Sequence, residues 1–90
     1  MNTQAIENLI ATVDALPLSA GLKKSLTAPL DNAIKKLTDG NPTNDVAACD
    51  SLDDFIEQVA DLQADGKLTA SDAAALTYSA QAIKVALGCA

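Results

Sequence analysis

The chain has 90 residues, 49% of them apolar, chiefly Ala, Leu, Ile and Val, with Phe55 and Tyr78 its only aromatics. That length supports one modest core, and the aliphatic, aromatic-poor composition belongs to helix bundles rather than β-sandwiches. Twelve carboxylates against six lysines, with no Arg and no His, give a net charge of −6, which argues against nucleic-acid binding, against an imidazole general base and, with only two thiols, against a zinc site.

The first predicted helix covers about residues 3 to 15, where Ile6, Leu9, Ile10 and Val13 recur at three- and four-residue spacing until Pro17 stops it. The polar start Met1-Asn2-Thr3-Gln4 is unlike a signal peptide, so the chain reads as an excised or mature segment. A second helix places Leu22, Leu26, Leu30, Ala33, Ile34 and Leu37 on one stripe and ends at Gly40-Asn41-Pro42. Pro29 lies inside it; lacking an amide donor and crowding the Ser25 carbonyl, it predicts a kink or a break into two shorter helices.

The third helix is expected from about 44 to 63, capped by Thr43 or Asn44, with Val46, Cys49, Leu52, Phe55, Ile56, Val59 and Leu62 on its apolar face. Asp50, Asp53, Asp54, Glu57 and Asp61 fall mainly toward water, as a solvated face rather than a catalytic carboxylate pair. After Asp65-Gly66, the run Thr69-Ala70-Ser71-Asp72 forms an acidic variant of the capping box. The fourth helix then carries Ala73, Leu76, Ala80, Ile83 and Leu87 and ends at Gly88. The short connection makes the last two helices an antiparallel hairpin, which brings Cys49, near the start of one, to the same end as Cys89, just beyond the other. A disulfide is expected there; closing about 40 residues, it is worth roughly 4 kcal/mol in the chain-entropy model. An oxidising, extracytoplasmic location follows from it. No apolar run approaches the roughly 20 residues that span a bilayer, so membrane insertion is not expected.

With these elements placed, the residues show a resemblance. The series Gly21-Leu22, Ser25-Leu26, Leu30-Asp31-Asn32-Ala33, Leu37, Gly40-Asn41, Ala47-Ala48-Cys49, Leu52, Phe55-Ile56, Val59, Gly66-Lys67-Leu68-Thr69, Ala74, Leu76 and Ala86-Leu87-Gly88-Cys89 resembles a FIMAH-type module over almost the whole chain, with both cysteines at the positions such modules use. Pro29, a slightly longer connection from Gly40 to Ala47 and the Asp-rich turn before the fourth helix depart from the pattern. The resemblance implies a small helical accessory domain, often C-terminal, of secreted bacterial and archaeal proteins, many of them hydrolases or adhesins. It brings no ligand and no site residue.

Two local motifs point elsewhere. Asp50-Ser51-Leu52 matches the tripeptide in which acyl carrier proteins attach phosphopantetheine. A carrier serine needs an exposed helix start, which favours a phosphate; here the apolar stripe begins before Ser51 and runs through it, so a solvated serine within the helix is the expectation. The run from Asp61 to Asp72 resembles a calcium loop of the EF-hand or dockerin kind, with Asp61, Gln63, Asp65, the Lys67 carbonyl, Thr69 and Asp72 at ligand positions and Gly66 at the turn. Gln63 and Asp72 depart from that pattern, and a helix cap already accounts for Thr69 and Asp72. The pairs Lys23-Lys24 and Lys35-Lys36 read as exposed edges of the second helix, and Phe55 as a core anchor.

The expectation is therefore an all-α bundle of four helices forming a single domain over residues 1–90, with a disulfide-linked C-terminal hairpin. It would be a noncatalytic accessory or interaction module of a secreted or cell-surface protein, appended to a hydrolase or adhesin, with no cofactor. Its partners would be other domains of that protein or an extracellular protein or polymer. The alternatives are a carrier protein modified at Ser51 and a calcium-dependent, dockerin-like assembly domain.

Overall fold

The computed structural model describes residues 2–38 and 44–89, which form four α-helices: α1 (Asn2–Asp14), α2 (Ala20–Thr38), α3 (Asn44–Ala64) and α4 (Ala70–Leu87). The expected stop at Gly40-Asn41-Pro42 and the cap at Thr43 lie outside the described residues. Each helix packs on its neighbours in the cyclic order α1, α2, α3, α4 and back to α1, with no diagonal packing among the described residues. The five-residue turns after α1 and α3 reverse the chain, and the bond from Lys36, late in α2, to Ser51, early in α3, shows that this pair also runs antiparallel. The result is an up-down-up-down bundle with a radius of gyration of 12.4 Å, close to the ~12 Å expected for a compact domain of this length.

Local chemistry sets the helix ends. Pro17 ends the first reversal: the Leu18 amide donates to the Leu16 carbonyl across it at 2.8 Å, a three-residue turn. The Ser19 hydroxyl then accepts from the Leu22 amide at 3.3 Å and caps α2, a role its sequence position alone did not single out. At the end of α3, Gly66 adopts a left-handed φ of 77°, its amide bonding the Gln63 carbonyl and the Lys67 amide the Leu62 carbonyl. The same arrangement closes α4, where Gly88 has φ 81° and the Cys89 amide bonds the Lys84 carbonyl. Both are Schellman caps, which satisfy carbonyls that the helix leaves without partners. Thr69 caps α4 as expected, its side chain accepting from the Asp72 amide.

One core fills the bundle: Ile6, Leu9 and Val13 from α1; Leu26, Leu30 and Ala33 from α2; Leu52, Phe55, Val59 and Leu62 from α3; Ala73, Leu76, Ala80 and Ile83 from α4. Phe55 is fully buried, as its place on the apolar stripe predicts. Leu68 and Ala73 flank the Thr69 cap and both enter the core, as a hydrophobic staple requires.

The sequence reading needs correction at two places in the helices. Of the kink or break expected at Pro29, the break does not occur: α2 is continuous through it, and Pro29 itself is buried. Lacking an N–H, Pro29 leaves the Ser25 carbonyl without its usual helical partner. In α3, Val46 is 70% exposed, not part of the apolar face. The true seam is Ala48, Leu52, Phe55, Val59 and Leu62, alternating four- and three-residue steps. At about 100° per residue, Val46 lies about 200° around the helix from Ala48.

Candidate functional site

Three places in the fold hold the residues that sequence reasoning marked as reactive. The first is the junction between the start of α3 and the end of α4. Cys49 and Cys89 form a disulfide there, with Cα atoms 6.0 Å apart. One turn further into each helix, the Lys84 ammonium pairs with the Asp53 carboxylate. The left-handed turn at Gly88 brings the chain back over the last turn of α4, where the Cys89 amide is held by the Lys84 carbonyl. Helix cap, ion pair and covalent bond thus converge at one pole of the bundle.

The second place is Ser51, which is only 4% exposed. Its hydroxyl accepts a hydrogen bond from the Lys36 ammonium at 3.3 Å and donates to the Ala47 carbonyl one turn back at 3.4 Å. The expected solvated serine is therefore a buried one, and the attachment serine of a carrier protein is ruled out by the same geometry: Ser51 lies well inside α3 and under α2, away from any exposed helix start. Position along a helix does not fix position around it. Ser51 sits about 100° from Leu52, on the flank that turns toward α2. Lys36, expected as an exposed edge, is half-buried because its stem crosses to reach that hydroxyl. A lysine beside a serine also invites comparison with a nucleophile and its base. Here the serine has no open space before it, and both groups are spent on tying α2 to α3.

The third place is the turn from Asp61 to Asp72. A calcium loop requires the chain to leave the helix at its first ligand; α3 instead continues to Ala64, so Asp61 and Gln63 are helical. The Asp61 and Gln63 carbonyls accept from the Asp65 and Gly66 amides, and Thr69 is engaged as the cap of α4. Asp61, Asp65 and Asp72 do not converge: no group of three or more acidic, His or Cys residues placed to hold a metal ion occurs among the described residues.

Two surface features complete the picture. An open groove of about 520 Å³ runs between α2 and α3, with Ser25, Pro29 and Asn32 on one side and Asp54, Glu57 and Asp61 on the other. The Ser25 hydroxyl donates to the Gly21 carbonyl at 3.1 Å, so it too serves the helix. The outward face of α4 is uncharged from Ala73 to Ile83 and exposes Tyr78 and, two turns later, Val85, the residue after Lys84; each of the two is 76% exposed. No buried side-chain nitrogen or oxygen among the described residues lacks a hydrogen-bond partner, so no polar group is held in reserve inside the bundle. No helix among the described residues is long and apolar enough to cross a membrane.

These features define a disulfide-tied, all-α bundle in which the reactive-looking side chains perform structural work. The chain belongs to the FIMAH domain family, whose family model matches residues 3–85. The match includes Cys49 and stops four residues before Cys89. No curated protein and no solved structure matches the chain.

Proposed function

We propose that the chain is a noncatalytic accessory or interaction module of a larger secreted or cell-surface protein, joined to a hydrolase or adhesin. The observation that carries this reading is the family match over nearly the whole chain. The disulfide supports the extracytoplasmic part, since such bonds persist in oxidising compartments. Burial of Ser51 supports the noncatalytic part, because it withdraws the residue best suited to covalent chemistry. The exposed Tyr78 and Val85 on the outer face of α4 supply apolar surface suited to contacts with a neighbouring domain or an extracellular polymer.

The test uses the complete polypeptide that carries this domain, made with and without it. Turnover of a small soluble substrate should be unchanged by the deletion, while retention at the cell surface or on an insoluble polymer should fall. Loss of small-substrate turnover would overturn the noncatalytic reading. Thiol alkylation in intact cells checks the compartment: Cys49 and Cys89 should resist the reagent until a reductant is added.

A further inference from the structure

The buried side chains of α4, Ala73, Leu76, Ala80 and Ile83, all precede Lys84. Beyond Ile83 the helix keeps only the half-buried Leu87, whereas Val85 is 76% exposed and Ala86 and Gly88 also face solvent. The facing start of α3 is equally thin: from Val46 to Asp50 Val46 is exposed and only Ala48 is buried. Apolar burial therefore holds the middle of the hairpin, and at this pole its place is taken by the disulfide, the Lys84–Asp53 pair and the Gly88 cap. The pair is a weak tie, because Asp53 is more than half exposed and water screens it. The cap holds α4 to itself and does not hold it to α3.

The covalent tie is also reachable. Cys89 lines a surface hollow of about 160 Å³ together with Gln81, Lys84 and Val85, and both cysteines are partly exposed. An incoming thiolate thus has an approach to the Cys89 sulfur.

We propose that Cys49–Cys89 is a reducible lock on one pole of the bundle, opened from the Cys89 side by a dithiol reductant. One thiolate of the reductant attacks the Cys89 sulfur, forms a mixed disulfide there and releases the Cys49 thiolate, which takes up a proton. The second thiol of the reductant, as thiolate, then attacks its own sulfur in the mixed disulfide and releases Cys89, which is protonated in turn. In sum, two electrons and two protons pass to the protein, and the reductant leaves as its own disulfide. Opening frees residues 84–89 from the start of α3, so this end of the hairpin is held in the oxidised state and released in the reduced one. The core from Phe55 to Leu62 and from Ala73 to Ile83 stays packed. This inference stands apart from the accessory-module reading.

The experiment compares NMR spectra of the isotope-labelled 90-residue chain, oxidised and after reduction with dithiothreitol. On reduction the Cα shifts of residues 84–88 should lose more than about half of their helical displacement, while those of α1 and of residues 73–80 stay within the oxidised pattern. Removing the reductant and adding oxidised glutathione should restore the first spectrum. The Cys49→Ala/Cys89→Ala variant should reproduce the reduced spectrum. Oxidised Asp53→Asn should keep the helical shifts at 84–88, because the disulfide and not the ion pair is the lock. The proposal is overturned if residues 84–88 remain helical on reduction, if the whole spectrum collapses together, or if Asp53→Asn alone opens the pole.

Discussion

Ser51 has the sequence neighbours of a carrier serine and the surroundings of a structural one. Its hydroxyl is covered by α2 and engaged twice, with Lys36 and with the Ala47 carbonyl. Incubation with a broad-specificity phosphopantetheinyl transferase and coenzyme A should therefore leave the intact mass unchanged. Ser51→Ala should lower stability by about 1 kcal/mol, or roughly 4–8 °C in melting temperature for a domain of this size, because it strands the Lys36 ammonium at a half-buried position. The two left-handed glycines make a second case. A Cβ at Gly66 or Gly88 meets nothing within 4 Å, so the cost of alanine there is conformational alone. Each substitution should destabilise by about 1–2 kcal/mol. Thermal melts that show no loss at either position would remove the Schellman caps from the account. These glycines were legible in the sequence because a helix stop followed by a left-handed residue has a residue-type signature. The burial of Ser51 was not, since serine carries no mark of which flank of a helix it occupies.

Pro29 shows how packing overrides propensity. A proline inside a helix costs roughly 3 kcal/mol relative to alanine, yet α2 runs through it unbroken and buries it. The ring's extra carbons return only about 1.6 kcal/mol at ~0.8 per buried methylene, so Pro29→Ala should raise stability by about 1 kcal/mol, measured as a higher denaturant midpoint. A loss of stability would mean that the ring fills the α2–α3 contact better than area alone suggests. The turn between α3 and α4 allows a test of the calcium alternative. Thr69→Ala should cost about 1 kcal/mol through the lost cap, while the melting temperature of the unaltered protein should be the same with calcium or with a chelator. Helix existence, order and most boundaries were readable from three- and four-residue spacing and from Pro17, Gly66, Thr69 and Gly88. The rotation of α3 was only half readable. Val46 and Cys49 fit a three-residue stripe as well as Ala48 and Leu52 fit the true seam, and alanine is too small to announce itself as core.

For the bundle as a unit, the pairing of Cys49 with Cys89 followed from the hairpin because two antiparallel helices of nearly equal length return to their starting level. Closing a 40-residue separation, the bond should stabilise the fold by about 4 kcal/mol in the chain-entropy model. That is a large share of the ~5–15 kcal/mol typical of a small domain, so equilibrium unfolding of Cys49→Ala/Cys89→Ala should show a sharply reduced midpoint. The same bond has a mechanical meaning. An even number of antiparallel helices puts the start of α1 and the end of α4 at one pole, so a pull applied at Asn2 and Cys89 unzips the bundle from that pole. Tension passes along α1 and α2 to Cys49 and then crosses the sulfurs to Cys89; the segment between the cysteines, which contains most of α3 and all of α4, carries no load. Stretched in a single-molecule instrument, the oxidised chain should lengthen by about 140 Å less than the reduced one, at ~3.5 Å for each residue of the bypassed segment. Under tension, nearly half of the chain would remain a slack, covalently closed loop, free to refold while the rest is held extended.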